Sequence, residues 1–223
     1  MSLAPIRAVI FDMDGVLTDS EPLINAAAIA MFAEMGLTVL PEDFHPFVGA
    51  GEDRYIGGVA QKYNFYLDLQ EAKHRTYELY LAMVPARLAS FPGAQELVAV
   101  CHKAGLYVAV ASSADRVKIE ANLAKIGLPA ETWGTVVTGE DIVAKKPAPD
   151  IFLHAASKLG IPAAQCVVVE DAVNGVVAAK AAGMRCVAVA QTFPAHLLCA
   201  ADLVRPAISD ILLSDLVADT SAH

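Results

Sequence analysis

A short apolar run near the start of the chain, from Ala8 to Phe11, ends abruptly in two carboxylates, Asp12 and Asp14. Such a run is typical of a buried parallel strand, and open α/β sheets place their chemistry at the carboxyl ends of their strands. Two like charges so close together need a cation or a shared proton. The stretch therefore predicts a divalent-metal or acid–base site, although Asp-x-Asp-Gly alone is equally typical of a turn.

The composition restricts the classes of function. The chain has 223 residues, of which 56% are hydrophobic and 18% charged, so it is expected to fold around a sizeable core. Its formal net charge of −9 gives no support to binding of nucleic acids or anionic membranes, which need basic surfaces. No apolar run approaches the roughly 18 residues of a membrane span. We expect no nucleic acid and no membrane as partner, and a monomer or weak dimer.

The first residues and the cysteines bear on the compartment. The start of the chain lacks the basic and long apolar regions of a signal peptide. The four cysteines show no Cys-x-x-Cys spacing, which favours reduced thiols over a disulfide framework. A cytoplasmic location is therefore expected.

The hydrophobic pattern divides the chain into two parts. Residues 21–88 carry helical patterns, whereas strand and helix patterns alternate from residue 91 onward. After the first strand, further strands are predicted at 106–111, 135–137, 166–169 and 186–190. This alternation predicts an α/β fold with a doubly wound parallel sheet. We assign the sheet domain to residues 1–20 and 89–223 and a small all-helical insertion to 21–88, and we expect residues 216–223 to fray.

Polar side chains recur where other strands or loops meet the same edge of the predicted sheet. Ser112 and Ser113 precede a helix start, which is an anion cradle or a plain helix cap. Lys146 lies in a loop stiffened by prolines, and Glu170 and Asp171 end another apolar strand. Each signal is weak by itself. Together they supply carboxylates for a hard cation, hydroxyls and a fixed lysine, which predicts Mg²⁺ and phosphoryl transfer.

These segments resemble, in order, the four motifs of the haloacid dehalogenase superfamily, in the branch of β-phosphoglucomutase and phosphoglycolate phosphatase. The matching segments are 11–21, 111–113, 146–150 and 170–171. The resemblance implies a Rossmann-like core and identifies the insertion at 21–88 as a helical cap. Segments 57–60, 111–116 and 184–186 also resemble the dehalogenase-like domain of plant thylakoid proteins that suppress photoprotective quenching. For a photosynthetic source, the chloroplast stroma is therefore the alternative compartment.

The same resemblance implies a role for each motif residue. Asp12 is expected to be the nucleophile that forms an aspartyl-phosphate, and Asp14 to serve as general acid and then general base. Ser112, Ser113 and Lys146 are expected to bind the phosphoryl group. Mg²⁺ is the expected cofactor, and its expected ligands are Asp12, Asp14 through its backbone carbonyl, Glu170 and Asp171. Glu170 is expected either to bind the metal directly or to orient Asp171.

The resemblance also implies that the cap determines the substrate. In the cap, this sequence departs from that of β-phosphoglucomutase. Ile24 stands where the mutase has a cap histidine, and Glu52 lies nearest to the position of its phosphate-binding arginine. The cap residues expected to contact the substrate are Glu21, Glu52, Arg54 and His74. We therefore favour a Mg²⁺-dependent phosphatase that acts on a small phosphorylated metabolite, either a sugar phosphate or a phosphoglycolate-like compound. A β-phosphoglucomutase-like mutase and a non-catalytic phosphate-ligand sensor or regulatory domain are the alternatives.

Overall fold

A computed structural model describes residues 5–217, and six parallel strands form the central sheet. The strands are β1 (Ala8–Phe11), β2 (Tyr107–Ala111), β3 (Thr135–Val137), β4 (Cys166–Glu170), β5 (Arg185–Val189) and β6 (Leu203–Arg205). Their spatial order is β3-β2-β1-β4-β5-β6. The chain builds the sheet outward from β1 on one side and then returns to build β4 to β6 on the other. The switch point between β1 and β4 leaves a crevice at the carboxyl ends of the strands, where ligands bind in such sheets.

Both faces of the sheet are covered, as the unbroken apolar strands require. Because successive side chains point to opposite faces, Val9 and Phe11 join one buried cluster, whereas Ala8 and Ile10 join the other. The helices of this part are α4 (Ala94–Lys103), α5 (Arg116–Lys125), α6 (Asp150–Leu159), α7 (Val173–Ala181) and α8 (Leu213–Val217). The predicted fold class, a doubly wound α/β sheet with a helical cap, is confirmed.

The cap consists of α1 (Glu21–Glu34), the 3₁₀-helix Pro41–Phe47, α2 (Glu52–Lys62) and α3 (Leu69–Arg87). A third apolar cluster, whose buried members all lie between Leu23 and Leu88, packs these helices together. The division into domains at residues 20 and 88 stays a prediction, and this separate cluster supports it.

The two links between cap and sheet run side by side. The Asp19 amide donates to the Ala89 carbonyl at 3.1 Å, and the Phe91 amide donates to the Leu17 carbonyl at 3.1 Å. Thr18 and Ser90 form an antiparallel bridge between the same segments. The chain therefore enters and leaves the cap at one place, close to the switch point.

Some local features differ from the sequence-based expectations. Strand β6 was not predicted, because its three residues are only partly buried and give a short apolar signal. Helix α3 continues past the predicted end at residue 83 to Arg87, with Pro85 inside it. The predicted frayed end falls mostly on residues 218–223, which lie outside the described residues, whereas α8 extends to Val217. Across residues 5–217, none of the helices is both long and apolar enough to cross a membrane.

Candidate active site

Strand register brings the first and fourth motifs together. Phe11 pairs with Val169 on β4, so Asp12, the next residue, lies level with Glu170. The Asp12 amide donates to the Val169 carbonyl at 2.9 Å and fixes the backbone at this point. On the other side of β1, Phe11 pairs with Val110, which places Ser112 at the same edge.

Lys146 joins the nucleophile candidate to β4. Its ammonium nitrogen Nζ lies 2.5 Å from Asp12 Oδ1 and 2.6 Å from Glu170 Oε1. All three side chains are buried. Burial alone lowers the pKa of a lysine, but the carboxylates of Asp12 and Glu170 outweigh this effect and hold the pKa of Lys146 above its usual value. Lys146 is therefore a fixed positive charge at the sheet edge.

Three buried carboxylates meet around this lysine. Ligand oxygens of Asp12, Glu170 and Asp171 lie within 4.8 Å of one another. Burial, followed by repulsion from Glu170, raises the pKa of Asp171 well above its usual range. Burial likewise raises the pKa of Asp12 to about 7, against the opposing effect of Lys146. Three buried carboxylates beside one ammonium group leave excess negative charge, and a divalent cation with oxygen ligands would neutralise it. These residues therefore fit Mg²⁺.

Backbone contacts and a glycine hold Glu170 in place. Its Oε2 accepts hydrogen bonds from the amides of Asp171 and Ala172, both at 2.7 Å. A Cβ atom added to Gly175, on α7, would lie 1.6 Å from Glu170 Oε1. Gly175 therefore makes the room in which the Glu170 carboxylate turns toward Lys146.

Asp14 belongs to a second network on the cap side of the site. Ser20 Oγ donates to Asp14 Oδ1, and Lys118 Nζ lies 3.1 Å from Asp14 Oδ2. Ser112 Oγ lies 3.5 Å from the same oxygen, at the limit of a hydrogen bond. The carboxylate of Asp14 thus lies outside the group that Asp12, Glu170 and Asp171 form. Asp14 was predicted to reach the metal through its backbone carbonyl, and that role stays a prediction. Its contacts with Ser20 and Lys118 turn it toward the cap.

The two serines of the second motif differ in their partners. Ser112 Oγ accepts a hydrogen bond from the Ala114 amide at 3.2 Å, as the serine of a turn does. Ser113 Oγ is buried and has no hydrogen-bond partner within the described part of the chain. Both residues line the same pocket as Asp12 and Lys146. Ser113 therefore has a donor available for a ligand.

The four cap candidates separate into two pairs. Glu21 and Glu52 line the pocket. Arg54 is exposed on α2 and is not among the lining residues, because the buried face of that helix carries Glu52 and Tyr55 instead. His74 is exposed on α3 and lies 3.3 Å from Glu78 on the same helix. The structure therefore does not bring Arg54 and His74 to the pocket that holds the motif residues.

Two pocket residues, Lys118 and Tyr55, were missed by the sequence analysis. Lys118 is buried and also lies 3.0 Å from Glu52 Oε1, so it connects the cap to Asp14. Tyr55 donates from its hydroxyl to Glu21 Oε1 at 2.7 Å. A signal for Lys118 existed, since it falls with Ile119, Asn122 and Leu123 on the buried face of α5, where an unpaired lysine is rare.

The pocket between sheet and cap encloses about 70 Å³. On the sheet side it is lined by Asp12, Asp14, Ser112, Ser113, Lys146, Glu170 and Asp171, and on the cap side by Glu21, Ile24, Glu52 and Tyr55. One wall thus carries the carboxylates, lysine and hydroxyls suited to a phosphoryl group and a cation. The other wall is formed by α1, by α2 and by the segment 47–51 that precedes α2.

A family model described as haloacid dehalogenase-like hydrolase matches residues 6–183. The chain therefore belongs to the haloacid dehalogenase-like hydrolases. It is 47% identical over 217 residues to the protein SUPPRESSOR OF QUENCHING 1, chloroplastic, of Arabidopsis thaliana, an alignment that covers 95% of this chain and 21% of the plant protein. The chain thus spans about one fifth of the length of that relative.

Other relatives match along nearly their whole length. The chain is 32% identical over 221 residues to hexitol phosphatase B of Escherichia coli, which covers 95% of this chain and 97% of that protein. The crystal structure of CbbY from Rhodobacter sphaeroides in complex with phosphate matches with a TM-score of 0.86 and 28% identity, covering 95% of this chain and 99% of the other. The predictions of the family and of an enzyme of the phosphatase kind are confirmed.

Proposed function

We propose that this chain is a Mg²⁺-dependent phosphatase that hydrolyses a phosphate monoester of a small sugar-like metabolite through an aspartyl-phosphate on Asp12. The observation that carries the proposal is the buried group of Asp12, Glu170 and Asp171 around Lys146 at the switch point of the sheet. Similarity to hexitol phosphatase B over nearly its whole length supports a sugar-phosphate substrate.

The contacts of Asp12 suit a nucleophile. Lys146 holds Oδ1 of its carboxylate, which leaves Oδ2 to attack phosphorus. Ser112, Ser113 and Lys146 supply donors to the phosphoryl oxygens as negative charge builds up on them. The free hydroxyl of Ser113 supports this role, because its hydrogen-bonding capacity is otherwise unused in a buried position.

Asp14 is the proposed proton donor and acceptor. It protonates the leaving oxygen of the substrate in the first step and takes a proton from water in the second. Ser20 and Lys118 fix its carboxylate on the side of the pocket that faces the cap, where the leaving group must lie. Asp12, Glu170 and Asp171 would hold Mg²⁺, which neutralises repulsion between the carboxylates and the phosphate when bound.

No feature of the described pocket favours the mutase alternative. Ile24 and Glu52 line the cap side, and the lysines that line the pocket, Lys118 and Lys146, each already contact two carboxylates. Because Lys146 serves the transferred phosphoryl group, a second phosphate would have to compete with Asp14 and Glu52 for Lys118. A stromal location, the alternative compartment of the sequence analysis, is supported by the similarity to a chloroplastic plant protein.

Release of inorganic phosphate tests the proposal. The chain is incubated with MgCl₂ and a panel of hexitol phosphates, sugar phosphates and phosphoglycolate, and parallel samples contain EDTA. We expect Mg²⁺-dependent release that falls by at least about 10³-fold in Asp12→Asn, which removes the nucleophile. Glu131→Gln, which also replaces a carboxylate by an amide, lies at an exposed position outside the four motifs and should retain activity. Isomerisation without release indicates a mutase, and binding without turnover indicates a sensor.

A further inference from the structure

Glu52 is a buried carboxylate with one oxygen in use and one free. Its side chain is 6% exposed and lines the pocket from the N-terminal end of α2. Oε1 contacts Lys118 at 3.0 Å, whereas Oε2 is buried and has no hydrogen-bond partner among residues 5–217. A buried acceptor without a donor is unfavourable unless a ligand or water supplies one. Oε2 is therefore an acceptor available to whatever fills the cap side of the pocket.

The surroundings of Glu52 are rich in acceptors and negative charge. Glu21 lines the same side, and one of its oxygens accepts from Tyr55. Asp19 also lines the pocket. The cation on this side is Lys118, whose ammonium group already contacts Asp14 and Glu52. The cap side thus offers hydrogen-bond acceptors and no uncommitted positive charge within the described residues.

The backbone conformation just before α2 brings Glu52 to the cap side of the pocket. Gly51, just before α2, has a φ of +84°, and a Cβ atom there would lie 3.3 Å from the Ser113 carbonyl oxygen. The cap backbone therefore comes close to the backbone of Ser113. Because a single ammonium group contacts both Asp14 and Glu52, the two carboxylates lie close together, and we expect a leaving group protonated by Asp14 to lie near Glu52.

We propose that Glu52 makes this pocket selective for phosphate monoesters whose leaving group is uncharged and carries hydroxyl groups, and that it rejects substrates with a second phosphate. The proposal rests on the proposed function, since it names the substrate class of the same site. A hydroxyl group donates to Glu52 Oε2. A second phosphate can only accept, and it meets like charge in a buried site. Rejection thus comes from repulsion and selection from hydrogen bonding.

A matched pair of ligands tests the selectivity: fructose 6-phosphate and fructose 1,6-bisphosphate, which differ by one phosphate. Affinities are measured with MgCl₂ by titration calorimetry in the Asp12→Asn background, where nothing is turned over, and kcat/KM is measured in the chain with Asp12. We expect at least tenfold tighter binding of the monophosphate. Glu52→Gln should weaken monophosphate binding and tighten bisphosphate binding, because it removes the charge and leaves Lys118 freer.

Opposite effects on the two ligands separate this role from a structural one. A merely structural Glu52 would lower both affinities by the same factor. Glu71→Gln, the same change at an exposed position of α3, should leave the ratio of affinities unchanged. Glu52→Asp keeps the charge but shortens the side chain, so it should still reject the bisphosphate while binding the monophosphate less tightly.

A wild-type preference for the bisphosphate, or equal losses for both ligands in Glu52→Gln, would overturn the inference. The ratio of the monophosphate and bisphosphate affinities is measured with Glu52 in place. It therefore tests the selectivity even if a substitution at Glu52 prevents folding. Selective binding of the monophosphate without Asp12-dependent hydrolysis would contradict the proposed function and leave the selectivity of the pocket standing. Hydrolysis of both compounds with equal kcat/KM would support the function and contradict the selectivity.

Discussion

Gly175 shows how one missing side chain shapes the site. In a helix interior, alanine is normally favoured over glycine by about 1 kcal/mol. At Gly175 the added Cβ atom would collide with the Glu170 carboxylate at 1.6 Å. We expect Gly175→Ala to lower Mg²⁺-dependent phosphate release roughly 10- to 100-fold, the range typical when groups that orient metal ligands are disturbed. Kinetics at several Mg²⁺ concentrations would show a weakened response to the metal.

Gly57 provides the matched control for this substitution. It also lies inside a helix, α2, but the nearest atom to its added Cβ is the Leu69 side chain at an ordinary 3.8 Å. Gly57→Ala should retain activity and leave the free energy of unfolding unchanged or raised by up to about 1 kcal/mol. Equal activity of Gly175→Ala and Gly57→Ala would mean that the position of Glu170 does not matter for the reaction.

Asp43 predicts how the stability of the cap depends on pH. Hydrogen bonds from Lys62, Tyr63 and the Leu40 amide lower the pKa of this buried carboxylate to about 2. The pKa of Asp43 is thus lower in the folded chain than the value of about 4 in an unfolded one. The contribution of this carboxylate to the free energy of unfolding is therefore present above pH 4 and is lost as the pH falls toward 2. Melting temperatures should differ between the wild type and Asp43→Asn at pH 7 and converge near pH 2. A difference that is constant with pH would contradict this.

Sequence reasoning at the residue scale succeeded where a motif identifies the functional residue. It failed where the role of a residue depends on contacts that only the tertiary structure creates. Asp12, Lys146 and Asp171 are recognisable because each follows a strand or lies in a proline-stiffened loop. The helical spacing of Lys118 with Ile119 and Leu123 indicates a buried position but not its partners, because its contacts with Asp14 and Glu52 exist only where the cap lies over α5. The choice between Glu52 and Arg54 likewise depends on which face of α2 is turned to the pocket.

At the scale of elements, a buried hydrogen bond joins the cap to the sheet domain. The Tyr80 hydroxyl, on α3, donates to Asn122 Oδ1, on α5, at 2.7 Å, and both side chains are fully buried. Tyr80→Phe removes the donor and leaves the amide oxygen unpaired. We expect the free energy of unfolding to fall by about 1–3 kcal/mol in urea denaturation. Tyr66→Phe also removes a tyrosine hydroxyl, but from a residue that is 95% exposed. This control should change the free energy of unfolding by less than about 0.5 kcal/mol.

The elements themselves were predictable to the extent that each carries its own pattern. Strands β1, β2, β4 and β5 are apolar runs buried on both faces, so their position and type follow from the sequence. The short edge strand β6 is partly buried, and its three residues form a strand only because β5 offers a partner. Pairing between strands distant in sequence is a tertiary effect that a local pattern does not record.

For the whole molecule, the excess negative charge at the sheet edge predicts that a metal ion stabilises the fold. A ligand that binds only the folded chain adds about 2.7 kcal/mol at 100 times its Kd. For a chain of this size that corresponds to a rise in Tm of roughly 5–10 °C. We expect MgCl₂ to raise Tm and EDTA to reverse the change, as followed by calorimetry.

Asp171→Asn should nearly abolish this Mg²⁺ response without lowering the Tm of the metal-free chain, because it also removes a like charge from the buried group. Glu131→Gln, at an exposed carboxylate outside the four motifs, should keep the full response. A Tm that is insensitive to Mg²⁺ in the wild type would count against a metal site at these carboxylates.

The paired links between cap and sheet have a consequence for how such enzymes diversify. Because Asp19 and Ala89 are hydrogen-bonded neighbours, the whole insertion starts and ends at one spot on the sheet domain. Any helical unit with adjacent ends can be accommodated there without disturbing the strand order. On the proposed function, exchanging this unit, or a single side chain at its inner surface such as Glu52, would redirect the enzyme to another metabolite and leave the residues at the strand ends unchanged. A lineage can therefore acquire new substrates by replacing a module and keeping its catalytic strand ends.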